Sequence, residues 1–212
     1  MKKLIIFDFD GVLADSFETF YPLIRDAMKQ IGLSLTRKQY SDFFMGNVHM
    51  AFKNFIGDEK KYLIFSEFRK SNYDKYYFDK NSGAKLFPGT KELIKKLVAK
   101  YTLTIASSGH QTNVENLLDK NGTKDMFSLI IANTATTKEG MIKEILTKLK
   151  SKAEESIMIS DTVGDIELAK KMELQTIAVT WGFHSIKLLK TAKPDYVIKN
   201  FKELEYTLLT NL

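Results

Sequence analysis

Leu4-Ile5-Ile6-Phe7-Asp8-Phe9-Asp10-Gly11-Val12-Leu13-Ala14-Asp15-Ser16 is an apolar run that ends in two acids and a glycine. Leu4–Phe9 has the length of a buried strand, and Asp10-Gly11 is a turn signal that stops it. The run is too short for a membrane span or a signal peptide and has no small-residue cleavage site. Similar apolar segments recur along the chain: Thr102–Ala106, Ser128–Ala132, Ser156–Ser160 and Thr176–Thr180. Between and around them fall helical patterns at Thr90–Lys100, Thr112–Lys120, Lys138–Lys150 and Gly164–Met172. Short strands alternating with helices imply βαβ units and a parallel sheet. The expected fold is therefore α/β, a Rossmann-like core of three layers, α/β/α. Pro88-Gly89-Thr90 marks a helix start, with Thr90 expected as its N-cap.

Residues 16–85 break this rhythm. They hold 15 of the 25 aromatic residues, and Pro22 is their one proline. Phe17-Phe20-Tyr21-Ile24 and Tyr62-Phe65-Phe68 repeat at three and four residues, which is helical spacing. The stretch reads as an all-helical insertion packed through aromatic faces, with breaks near Gly46 and Gly57. The expected domains are a core made of residues 1–15 and 86–212, and a helical cap made of residues 16–85.

Composition narrows the class. At 212 residues, 44% hydrophobic and 27% charged, the chain has enough apolar material for a folded core and is not a disordered polar polymer. It has no cysteine, so disulfides and thiolate metal sites are excluded. With no export signal, the expected location is the cytoplasm, with no membrane partner. The net charge of +6 rests on 32 basic residues, of which only Arg25, Arg37 and Arg69 are arginine. Nucleic-acid readers lean on arginine for bidentate contacts, so no nucleic-acid partner is expected. Residues 16–85 carry 12 basic and 8 acidic side chains, hence four of the six net charges. A basic, aromatic-packed cap suits a small anionic substrate.

In open parallel sheets, ligands bind outside the carboxyl ends of the strands. The first strand ends in Asp8 and Asp10, the second in Ser107-Ser108-Gly109, and the fourth in Ser160-Asp161-Thr162-Val163-Gly164-Asp165. Carboxylates gathered on one edge repel each other unless a cation compensates. Mg²⁺ needs only one or two of them together with water and phosphate. The loop at Ser107–Gly109 leads into a helix, which favours a bound phosphate. Lys138, opening the helix after the third strand, is placed to balance the charge. A cation site beside an anion site points to phosphoryl transfer.

These motifs, in this order, resemble those of the haloacid dehalogenase superfamily. Asp8-Phe9-Asp10-Gly11-Val12 looks like its first motif, Ser107 its second, Lys138 its third, and Ser160 to Asp165 its acidic fourth. The layout, with a cap inserted after the first motif, is similar to the phosphoglycolate phosphatase and β-phosphoglucomutase-like branch. The resemblance implies that Asp8 is the nucleophile, forming an aspartyl-phosphate, and that Asp10 is the general acid and base. It implies a Mg²⁺ site built from Asp8, the Asp10 carbonyl, Asp161 and Asp165, the last through water or as a support. It implies that Ser107 and the Ser108 N–H hold the phosphoryl oxygens and that Lys138 neutralises their charge. Relatives that cleave carbon–halogen bonds or phosphonates lack an acid at the position of Asp10, so its presence favours phosphate esters.

Some positions depart from the family pattern. Glu139-Gly140 follow the lysine where many relatives have proline, and Lys143, five residues on, is its rival. Ser160 stands where many relatives have glycine. In the cap, Gly46-Asn47-Val48-His49-Met50 resembles the loop that touches the leaving group, which makes Asn47 and His49 specificity candidates, with Lys53 nearby. The sugar-phosphate mutases have an arginine near the place of His49. Trp181-Gly182-Phe183 reads as a structural turn, and Ser16 as the N-cap of the first cap helix. The function expected is a Mg²⁺-dependent phosphatase acting on a small phosphorylated metabolite. A phosphomutase, a nucleotidase and a non-catalytic binding protein are the alternatives.

Overall fold

Four consecutive apolar residues, none more than 1% exposed, make Leu4–Phe7 (β1) a strand buried on both faces. Such runs belong to the middle of parallel sheets covered by helices. The computed structural model describes residues 3–79 and 83–212. In chain order β1 is followed by Ala14–Asp15 (β2), Phe17–Gln30 (α1), Arg37–Asp42 (α2), Val48–Ile56 (α3), Glu59–Tyr77 (α4) and Lys85–Leu86 (β3). Next come Thr90–Leu97 (α5), Thr102–Ser107 (β4), Gln111–Lys120 (α6), Leu129–Ala132 (β5) and Lys138–Leu149 (α7). Ser156–Ser160 (β6), Val163–Lys171 (α8), Gln175–Val179 (β7), Ile186–Leu189 (α9), Tyr196–Ile198 (β8) and Phe201–Tyr206 (α10) complete the order. No helix among the described residues is long and apolar enough to cross a membrane.

The main sheet has the order β5-β4-β1-β6-β7-β8, and every neighbouring pair is parallel. Side chains alternate across it. Ile5 and Phe7 join a cluster with Leu93, Leu97, Val114, Leu118 and Leu204, from α5, α6 and α10. Leu4 and Ile6 face the other way, onto Met141, Ile142 and Ile145 of α7 and Ala169 of α8. Each of these side chains except the small Ala169 contributes about 1.5–3 kcal/mol by leaving water. The result is a three-layer α/β/α core. The chain runs from β4 to β5 on one side of β1, then crosses to β6 on the other. That reversal puts the ligand crevice at the carboxyl end of β1.

Several sequence expectations are corrected in detail. The sheet has a sixth strand, β8, that no pattern announced. Helix α5 is capped by Gly89 at φ 91°, not by Thr90, whose hydroxyl instead donates to the Leu13 carbonyl at 3.2 Å. Ser16 occupies the N-cap position of α1 but makes no capping hydrogen bond, and its buried hydroxyl has no partner.

The chain divides into two compact units, Met1–Ala14 with Leu86–Leu212, and Asp15–Lys85. Residues 80–82 of the expected cap lie outside the described residues. Strands β2 and β3 pair in a small sheet of their own. Within the helical unit, rings join α1 to α4: Phe20 lies 5.5 Å from Tyr73 and 6.1 Å from Tyr77. Gly57 ends α3 in the left-handed region at φ 67°, and Asp58 then caps α4 by accepting the Lys61 N–H at 2.8 Å.

Candidate active site

Strand β1 stops at Phe7, and the Asp8 N–H still donates to Ile159 of β6 at 2.9 Å. Asp8 is thus fixed one residue beyond the strand, and its side chain is buried. The chain then folds back on itself. The Leu13 and Ala14 N–H groups donate to the Phe9 carbonyl, and Gly11 turns at φ 78°. This turn separates Asp10 from Asp8, which an extended strand would place on one face. Asp8 Oδ1 accepts from the Phe9 N–H and from Lys138 Nζ, both at 2.8 Å. Asp10 Oδ2 instead lies beside Gly109, 3.5 Å from where a Cβ on that glycine would be.

Ser107 ends β4 fully buried, and its Oγ accepts the Gly109 N–H at 3.0 Å. Ser108 and His110 are exposed beside it. Lys138 is the first residue of α7, which Thr137 caps. Its ammonium has three acceptors: Asp8 Oδ1, the Ala106 carbonyl at 2.9 Å and Asp165 Oδ2 at 3.1 Å. Lys143 points into solvent and pairs with Glu139. Ser160, at the end of β6, donates to Asp165 Oδ2 at 3.1 Å, and Thr162 caps α8.

Asp161 is fully buried. Its Oδ2 accepts the Phe183 N–H at 2.6 Å, while its Oδ1 has no hydrogen-bond partner. The backbone presses on this carboxylate from two sides, because a Cβ at either Gly11 or Gly182 would overlap it.

The acids outnumber the cation. Burial pushes the Asp8 carboxyl well above the ordinary range, and Asp165 and Asp161 push it further against the pull of Lys138. Asp161 is pushed up to about 7, by burial first and then by Asp165, against the Phe183 N–H. Burial alone would lower the Lys138 pKa, but Asp165 and Asp8 outweigh it and the net shift is upward. Surplus negative charge and an orphaned buried oxygen on Asp161 fit a hard cation. Among the described residues no three His, Asp or Glu side chains form a ready metal cluster. The set that fits is smaller: Asp8, Asp161 and the Asp10 carbonyl, completed by substrate oxygens. Asp165 is engaged by Lys138 and Ser160, which suits a supporting role.

Sequence reasoning reads Trp181-Gly182-Phe183 as a structural turn but misses His184 and the bonds by which the turn holds the acidic loop. Trp181 Nε1 donates to the Val12 carbonyl at 3.1 Å, Phe183 holds Asp161, and the buried His184 accepts the Val163 N–H through Nδ1 at 2.9 Å. The rule that led to the other strand ends also applies to β7, and His184 is one of only three histidines.

The cap candidates lie in the helical unit. Asn47 caps α3 by accepting the Met50 N–H at 3.0 Å, which leaves its amide NH₂ outside that bond. His49 is solvent-exposed, yet desolvation and the charge of Arg69 lower its pKa. Arg69 was not singled out by sequence. Its guanidinium lies over Phe52 and Phe65 at 5.2 and 5.3 Å, its buried Nε has no partner, and no carboxylate among the described residues pairs with it.

Comparison with known proteins gives the chain as a whole its relatives. The family described as "Haloacid dehalogenase-like hydrolase" matches residues 5–179. A phosphoglycolate phosphatase from Synechococcus elongatus is 24% identical over 95% of both chains. The pyrophosphatase PpaX from Oceanobacillus iheyensis is 24% identical over 95% of this chain and 94% of its own. The crystal structure of a predicted phosphatase from Clostridium acetobutylicum superposes with a TM-score of 0.84 at 24% identity, over 99% of both chains.

Proposed function

The chain belongs to the haloacid dehalogenase-like hydrolases, and we propose that within this family it is a cytoplasmic, Mg²⁺-dependent phosphatase of a small phosphorylated metabolite. The observation that carries this reading is Lys138, bonded at once to Asp8 and Asp165, beside the unpartnered Oδ1 of Asp161. The phosphoglycolate phosphatase and pyrophosphatase relatives support the same chemistry.

Asp8 attacks the phosphorus as the P–O bond to the leaving group breaks, giving an aspartyl-phosphate. Lys138 holds Asp8 in place and stabilises charge on the phosphoryl oxygens, with Ser107 and the Ser108 N–H as further partners. Asp10 gives its proton to the leaving oxygen. It then takes one from the water that attacks the phosphorus, which releases phosphate and restores Asp8. Asp8, Asp161 and the Asp10 carbonyl would hold Mg²⁺, with Asp165 in support, and the ion supplies charge neutralisation when bound. Choice of leaving group is assigned to the helical unit, with Asn47 and His49 as candidates.

Phosphate release from phosphoglycolate, pyrophosphate, sugar phosphates and nucleotides tests the reading. We expect turnover that needs Mg²⁺ and is lost in Asp8→Asn. Full activity in that variant overturns the mechanism, and isomerisation of a sugar phosphate without phosphate release identifies a mutase.

A further inference from the structure

The first N–H groups of a helix have no partner within it. In α8 the Asp165 N–H is taken by Thr162, in a long bond of 3.4 Å, and the Val163 N–H by the imidazole of His184. Because Nδ1 is the acceptor, it carries a lone pair rather than a proton. His184 is 1% exposed, so this bond forms away from solvent. The preceding residue, Phe183, gives its N–H to Asp161 Oδ2. Two consecutive residues therefore grip the acidic loop on either side of Thr162. The nearby Trp181 ties the same turn to Val12, next to the Gly11 that abuts Asp161. With Oδ2 held in this way, Oδ1 is the oxygen left to face a ligand.

We propose that His184 is a positioning residue for cation binding: by fixing the turn after β7 to the start of α8, it sets the Phe183 N–H and so the direction of Asp161 Oδ1. The proposal rests on the reading of Asp161 as a cation ligand. Partners that orient metal ligands change affinity by about 10–100-fold when lost.

The test measures Mg²⁺ and Mn²⁺ binding directly, by calorimetry and by Mn²⁺ spin resonance, without substrate. His184→Leu removes the acceptor at similar size. His184→Asn returns an acceptor near the Nδ1 position, whereas His184→Gln places it near Nε2. We expect dissociation constants about tenfold weaker for Leu and Gln, and Asn within about threefold of the parent. Equal affinities for the Asn and Gln variants, or unchanged affinity in Leu, overturn the proposal. Failure of both polar variants to fold assigns His184 to the core alone and overturns it too. Asp161→Asn is the separate control. If that variant binds metal normally, the underlying site reading fails; if it does not, while His184→Leu binds normally, only the role of His184 fails.

Discussion

Lys138 Nζ lies 2.8 Å from Asp8 Oδ1, although 130 positions separate them in the chain. The same ammonium reaches Asp165 in the first turn of α8, so one cation holds a buried acid and a half-buried one. Lys138→Met leaves both without their cation, although Asp8 keeps the Phe9 N–H and Asp165 the Ser160 hydroxyl. Breaking a buried pair in this way costs about 3–5 kcal/mol, and losing a charge stabiliser at the reacting group costs about 10²–10³ in kcat. Urea unfolding and phosphate release should show both losses. Lys143→Met, at the exposed pair with Glu139, should change stability by less than about 0.5 kcal/mol and leave kcat unaltered.

Asp10→Asn separates the two halves of the reaction. With p-nitrophenyl phosphate the leaving oxygen needs no proton, so the first half proceeds while attack by water slows about 10²–10⁴-fold. A burst of about one nitrophenolate per enzyme, with phosphate held on the protein, is the expected result. Slow steady release with no burst would count against Asp10 as the base.

Gly182→Ala tests the cradle around Asp161. Gly182 has no positive φ, so the cost is purely steric: its Cβ would overlap the Asp161 carboxylate. Displacing that buried group should cost about 1–3 kcal/mol and weaken Mg²⁺ binding. Thermal unfolding and calorimetry of the same preparation check both.

The helical unit should be acid-sensitive at Asp26. Burial would raise its pKa, but hydrogen bonds from Arg25 and Tyr76 outweigh that and the folded value is lowered. Tyr76 donates from α4 to Asp26 on α1 at 2.8 Å, so the carboxylate joins the two helices. A lowered folded pKa contributes stability that is fully present above the unfolded value, about 3.9. That stability fades as pH falls through the folded value. Asp26→Asn should flatten this acid limb in unfolding curves followed by circular dichroism, while leaving the difference at neutral pH in place.

Arg69 presents the opposite balance. A guanidinium with no carboxylate partner among the described residues loses hydration that its contacts with Phe52 and Phe65 return only in part, since a cation–π contact contributes about 0.5–2 kcal/mol. Arg69→Met keeps the volume and removes the charge. The melting temperature should hold or rise, and a fall equivalent to more than about 1 kcal/mol would show that the ring contacts win.

The sheet and the acids were legible because each left a mark in side-chain type. Leu4–Phe7 is apolar throughout, and Asp8, Asp10, Asp161 and Asp165 fall where strands run out. Lys138 was chosen over Lys143 by its place at the start of a helix. What stayed hidden works through the backbone or lies at an edge. Phe183 acts through its N–H, which any residue but proline supplies. Strand β8 is three residues long and borders only β7, so its short apolar run carries little period. Thr90 has the chemistry of a cap, but Gly89 is already turned at positive φ and takes that position.

The central place of β1 has a consequence for biosynthesis. Its two neighbours are β4 and β6, and β6 ends at Ser160, so the strand that leads into Asp8 precedes both partners in synthesis and gains the second only then. A ribosome must translate past Lys138 and Asp161 before Asp8 meets either. Until then this fully apolar strand keeps at least one open edge, the condition that invites pairing with the wrong partner. The nascent chain thus carries an unpaired edge at β1 until β6 emerges.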